Sequence, residues 1–206
     1  MEFENLIFHL KQRMNNALPG EDSHKKMKVN FSNNTKLPFS KNKAKPAAVL
    51  ILLYPNNDKT YFYLTKRADT VKYHKGQISL PGGSKENNET LLDTALRETQ
   101  EEIGIDKNEI SILGKITPLF IPVTGFMITP FVSYISKKPK TILDEIEVAE
   151  LLSINIRDLL NNDILIMDRD INGSSVSIPY FSLNNHQVWG ATSMVLSELK
   201  DIIQLV

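Results

Sequence analysis

The chain has 206 residues, 24 Lys and Arg against 24 Asp and Glu, and no cysteine. Its length suits one domain with an added N-terminal segment, and 41% apolar residues suffice for one core. The balanced charge argues against a nucleic-acid or membrane partner, and the missing cysteines exclude disulfide and thiolate chemistry. The opening MEFENLIFHLKQRMNN lacks the basic and apolar regions of a signal peptide, and no apolar run nears the ~20 residues of a membrane span. A soluble, cytoplasmic protein is therefore expected.

Residues 3–17 read as an amphipathic helix with Phe3, Leu6, Ile7, Leu10, Met14 and Ala17 on one stripe, stopped by Pro19 and Gly20. Residues 20–45 are polar and aperiodic and read as a loop or linker. Seven lysines against Glu21 and Asp22 leave residues 21–45 at +5. They form either a solvated tether or an electropositive rim for a phosphorylated substrate. Residues 1–45 are thus expected as an N-terminal helix and lysine-rich linker, and 46–206 as the main domain.

Residues 47–54, AAVLILLY, predict a strand buried on both faces. With residues 60–65 they form a hairpin across Asn56, Asn57 and Asp58. A loop over residues 67–79 carries Lys72, His74, Lys75 and Gly76 into the turn Pro81-Gly82-Gly83.

A helix over residues 89–103 buries Leu92, Ala95, Leu96, Thr99 and Ile103 and is capped by Gly104. Glu98, Glu101 and Glu102 are expected off that stripe, toward solvent or a cleft. Like charges one turn apart destabilise a helix, so their accumulation beside a glycine turn needs a reason. A hard divalent cation, which takes oxygen ligands, supplies one.

Residues 111–121 and 127–136 read as strands, 151–156 as another with a helical turn at 157–160, and 164–168 and 176–181 as strands around Asn172-Gly173. Residues 187–189 are extended, and residues 191–203 form a closing helix. This order predicts an α/β fold, a mixed sheet with helices on both faces.

Gly83, Glu89, Arg97, Glu98, Glu101, Glu102 and Gly104 stand at the spacing of the Nudix hydrolase signature, which the chain resembles at every fixed position. Thr99 replaces the usual aliphatic. The resemblance implies an α/β/α sandwich whose loop–helix–loop holds a divalent metal, Mg²⁺ or Mn²⁺, and cleaves a diphosphate linkage in a nucleoside diphosphate derivative. Glu98 and Glu102 are the first choice as metal ligands. Glu101 is either a further ligand or the group that takes the proton from water. Arg97 orients Glu101. Gly82 and Gly83 let backbone approach metal or phosphate, and Glu89 and Gly104 support the site.

Upstream, Leu64-Thr65-Lys66-Arg67-Ala68, Lys72, Gly76 and Leu80-Pro81-Gly82-Gly83 are similar to the extra motif of the coenzyme A diphosphatase branch. Tyr63, Lys72 and Leu80 differ from that motif. The branch implies hydrolysis of coenzyme A, and of acyl-coenzyme A, to 3′,5′-ADP and 4′-phosphopantetheine. ADP-ribose, NADH, dinucleoside polyphosphates or nucleoside triphosphates are the alternative substrates. A nucleotide-sensing module without turnover is the alternative of another class. Arg67 either neutralises a substrate phosphate or makes a surface ion pair. His74 either donates to phosphate or orders its loop. Glu147 is either a general base or an ordinary acidic loop residue, and Trp189 either stacks on adenine or packs under the final helix. Many Nudix proteins pair, so a homodimer is among the expectations.

Overall fold

The computed structural model describes residues 2–29, 38–70, 75–171 and 174–206. Lys72, His74 and the Asn172-Gly173 turn lie outside the described residues. The central element is strand β1 (Lys45–Asn56), which turns back into β2 (Lys59–Arg67). Only Asn57 and Asp58 separate the paired Asn56 and Lys59, and both have positive φ (48° and 61°). That is the geometry of a tight two-residue hairpin, and Asn and Asp adopt it most readily after glycine.

Beyond the hairpin β1 and β2 splay. The gap is filled by two short strands, β3 (Ile78–Ser79) on β2 and β4 (Gly82–Ser84) on the start of β1. On its other edge β1 runs parallel to β7 (Phe126–Tyr134), against which β5 (Ser111–Lys115) and β6 (Leu119–Ile121) lie antiparallel. Strand β8 (Val148–Asn155) closes the far edge on β2. The result is the mixed sheet expected from the sequence. The expected single strand over residues 111–121 is broken into β5 and β6, because Thr117 turns its N–H and hydroxyl to Glu198 instead of to the ladder.

Successive residues of β1 point to opposite faces. Ala48, Leu50, Leu52 and Tyr54 pack with Ala95 and Ile103 of helix α3 (Leu91–Ile103). Ile51 and Leu53 pack on the other side with α1 (Phe3–Arg13) and α5 (Gly190–Gln204). Helices thus cover both faces. The short α4 (Ile156–Leu160) leads into a second, antiparallel sheet of β9 (Leu165–Ile171), β10 (Ser174–Leu183) and β11 (His186–Trp189). Among the described residues no helix is long and apolar enough to cross a membrane.

The expectation of a loop throughout residues 20–45 fails at Glu21–Lys26, which forms helix α2. Its partner is α5, not its own sequence. The fully buried Glu198 carboxylate meets His24 Nε2 at 2.8 Å and accepts N–H bonds from Gly20 at 3.2 Å and Thr117 at 3.2 Å. Ser197 Oγ donates to the Ser23 carbonyl. A buried carboxylate needs such partners, and a residue far along the chain holds this segment in place. Leu6, Leu10 and Met27 enter the same apolar cluster as Ile51 and Leu53.

Candidate functional site

Helix α3 begins at Leu91 with Thr90 as its N-cap, not at Glu89. Thr90 Oγ1 accepts the Asp93 N–H at 3.1 Å, and the Asp93 carboxylate accepts the Thr90 N–H at 2.9 Å. This reciprocal cap satisfies two of the otherwise orphaned helix donors. The helix ends on Gly104 at φ 72°, where a side chain would meet the backbone of residue 142.

Glu89, just outside the helix, anchors Arg97. Arg97 Nε and Nη2 donate to its two oxygens at 3.1 and 3.0 Å. Arg97 Nη1 then donates to Glu98 Oε1 at 2.9 Å and to Glu101 Oε2 at 2.8 Å. The expected orienting bond to Glu101 is present, and the same guanidinium also orders Glu98. Its hydrogen bonds hold the Glu89 carboxyl down at about 2.

The expectation that all three glutamates of the helix lie off its buried side is corrected at Glu102, which is only 3% exposed. A helical wheel registers α3 alone. The end of α3 is also held from a distant loop, whose Ile142 and Asp144 N–H groups bond the Ile103 and Glu102 carbonyls. Burial first, and then the charge of Glu98, push the Glu102 carboxyl up to about 8, with Glu147 adding and Arg67 opposing. Its Oε2 is buried without a hydrogen-bond partner. Burial also raises the Glu98 carboxyl, against the pull of Arg97. Glu101 is the exposed member.

Strand β4 brings the glycine turn onto these carboxylates. A methyl group on Gly83 would collide with the carboxylate of Glu98, and one on Gly82, at φ 151°, with the backbone of Ala48 and Val49. Opposite, the register of β2 and β8 slips between Lys66 and Arg67, an irregularity of the kind that re-aims side chains beside active sites. Arg67 is half-buried, its charge is felt at Glu102, and its Nε is buried without a hydrogen-bond partner. Glu147 is exposed on the loop before β8, and its backbone carbonyl accepts the Ala68 N–H at 2.8 Å. Its charge reaches both Glu98 and Glu102.

Among the described residues no three acidic or histidine side chains close into a ready-made metal cage. Glu98, Glu101, Glu102, Glu147, Arg67, Gly82 and Gly83 nevertheless gather at one end of the sheet. Trp189 does not lie wholly beneath the final helix. It is half-exposed in a concavity with Lys66, Lys75, Arg169 and His186. Lys66 and Lys75 fall within or beside the motif of residues 64–83, but nothing in the spacing of Arg169 or His186 marks them.

Residues 44–157 match the NUDIX domain model. A Photorhabdus laumondii protein named uncharacterized Nudix hydrolase NudL is 27% identical over 161 residues, covering 77% of this chain and 85% of that protein. A Yersinia pestis protein of the same name is 30% identical over 161 residues, covering 77% and 80%. The fold is similar to that of the Nudix hydrolase RenU from M. smegmatis, with a TM-score of 0.58 and 16% identity over 84% of this chain and 97% of that one. It is also similar to a MutT/nudix family protein from Enterococcus faecalis, with a TM-score of 0.51 and 15% identity over 82% and 66%.

Proposed function

Because the chain belongs to the Nudix family, we propose that it is a cytoplasmic diphosphohydrolase that cleaves coenzyme A to 3′,5′-ADP and 4′-phosphopantetheine. The observation that carries this reading is the placement of residues 64–70 and 75–83. Through β2, β3 and β4 they bring Arg67 and the Gly82, Gly83 turn to the carboxylates of α3. The run similar to the coenzyme A branch therefore borders the hydrolytic box instead of lying elsewhere on the surface.

Nudix hydrolases generally use divalent metal ions, and the residues here fit one, with Mg²⁺ or Mn²⁺ proposed. Glu102 has an unpartnered buried oxygen, Glu98 is partly desolvated beside it, and the adjoining turn carries no side chain. A pair of carboxylates is the usual protein share of a Mg²⁺ site, the remaining ligands being waters and substrate phosphates. Glu98 and Glu102 are proposed as that pair, with Glu101 as a further ligand. When bound, the ion offsets phosphate charge, activates water and steadies the leaving oxygen.

The chain's own groups do the rest. Arg67, short of a partner at Nε, neutralises a phosphate of the substrate. The glycine turn lets the diphosphate approach the backbone. Arg97, fixed by Glu89, keeps Glu98 and Glu101 from turning away. In hydrolysis the water oxygen bonds to one phosphorus, the bridging P–O bond breaks, and the water proton passes to a carboxylate. Glu101 and Glu147 are the candidates for that proton.

Incubation with Mg²⁺ or Mn²⁺ and coenzyme A, acyl-coenzyme A, ADP-ribose, NADH and nucleoside triphosphates, with products resolved, tests the reading. 3′,5′-ADP from coenzyme A as the best substrate supports it. Preference for another compound replaces the substrate while keeping the chemistry. Binding without any product points to a sensing module.

A further inference from the structure

The mechanism leaves unused the concavity between the two sheets, of about 510 Å³. Its volume falls within the range of small-ligand sites. One wall comes from Lys66, Lys75 and Gly76 on and after β2, the other from Arg169, His186 and Trp189 on β9 and β11. The wall is tied to the carboxylate site through the backbone. The Arg67 N–H donates to the Gln77 carbonyl, and the Gly76 N–H to the Arg67 carbonyl, each at 3.0 Å. Lys66 lines the concavity, and the charge of the next residue, Arg67, is felt at Glu102. The concavity and the carboxylates therefore flank the same strand end.

The chemistry of the lining is specific. Three cations, Lys66, Lys75 and Arg169, line one hollow. The carboxylate beside them is Glu150, 3.9 Å from Lys66 Nζ and 3.6 Å from His186 Nε2. Both pairs are long, and the Glu150 side chain is 47% exposed, so they are weak and screened. A net positive hollow remains. The Arg169 guanidinium lies over the Trp189 ring, 5.3 Å from its centroid, with Nη2 directed at Gln187 Oε1 at 3.5 Å. Both groups line the hollow, and a planar guanidinium fork suits a phosphate. An aromatic plane and a guanidinium plane together also form a surface on which a purine stacks.

We propose that this concavity binds the phosphorylated adenosine end of the substrate, its phosphomonoester on Arg169, Lys75 and Lys66 and its purine against Arg169 and Trp189. The proposal rests on the coenzyme A reading. Of the two halves of that molecule, only the 3′-phosphoadenosine side has both a phosphomonoester and an aromatic plane. Beyond the diphosphate, the pantetheine arm has neither.

Two measurements test it. Trp189 is the single tryptophan of the chain, so its fluorescence reports occupancy directly. In metal-free protein, 3′,5′-ADP is expected to change that fluorescence at concentrations about tenfold or more below those needed for 5′-AMP. Arg169→Ala and Lys75→Ala, both at exposed positions, should erase that preference while leaving the thermal midpoint in place. Steady-state kinetics then compare coenzyme A with 3′-dephospho-coenzyme A, which has the same scissile bond. Wild type should show the lower KM for coenzyme A, and Arg169→Ala should narrow the ratio about tenfold. Equal KM values in wild type, or a ratio unmoved in both variants, would overturn the subsite while leaving coenzyme A hydrolysis standing. Arg169-dependent binding of 3′,5′-ADP with no hydrolysis of coenzyme A would keep the subsite and remove the substrate.

Discussion

At the scale of single residues, two glutamates one turn apart differ through their surroundings. Glu98→Gln and Glu102→Gln should each lower turnover by about 100-fold or more with the fold intact, as judged by kcat and circular dichroism. Near-normal rates in either would mean that the metal is held elsewhere. Glu102 also carries a stability signature in metal-free protein. Its folded pKa of about 8 lies above its ordinary 4.5, so the native state binds the extra proton and stability falls as pH rises from about 4.5 to about 8. Glu102→Gln removes that loss and should raise the metal-free midpoint at pH 8 by several degrees. A midpoint that drops instead would show that the carboxylate is stabilising. Glu89 has the opposite sign. Its folded pKa of about 2 lies below 4.5, so its contribution is present above the unfolded value and is lost as pH falls toward 2. Glu89→Gln should therefore flatten the acid limb of a stability-against-pH curve, and an unchanged limb counts against the Arg97 anchor. The types and spacing of these residues were legible in the sequence. The burial of Glu102 was not, because a helical wheel registers neither the glycine turn at Gly82 nor the loop some forty residues later that bonds to the end of α3.

At the scale of elements, the glycine turn decides how close β4 comes to α3. Gly83→Ala should abolish most activity, because its methyl group and the Glu98 carboxylate claim the same space. Retained metal-dependent turnover in that variant would mean that Glu98 is free to move. Most elements were readable from the sequence pattern: β1 by its continuous apolar run, the first hairpin by Asn56, Asn57 and Asp58, and α5 as the closing helix over residues 191–203. Helix α2 was not, since its residues EDSHKK carry no stripe and only the side chains of α5 hold it. The β5–β6 break was hidden for the same reason. Thr117 leaves the ladder for a carboxylate 81 residues away. The concavity between the sheets was equally invisible, because Lys66 and Arg169 line one hollow only once β11 packs beside β3.

At the scale of the whole molecule, the N-terminal segment shares the main core. Leu10→Ala should cost about 2–5 kcal/mol, and circular dichroism and Trp189 fluorescence should lose signal in one coincident transition. Two separated transitions would instead mean that residues 1–45 melt independently. The link between His24 and Glu198 spans 174 positions, and this bears on how the chain is made. Leu6 and Leu10 leave the ribosome before α5, which shelters them, has been made. At about 5–20 residues per second, roughly 10–35 s pass between the two events. Closure of so long a loop also slows folding relative to local contacts. Until α5 has been made, Leu6 and Leu10 lack part of their apolar cover, so synthesis of α5 is the step that lets the N-terminal helices dock.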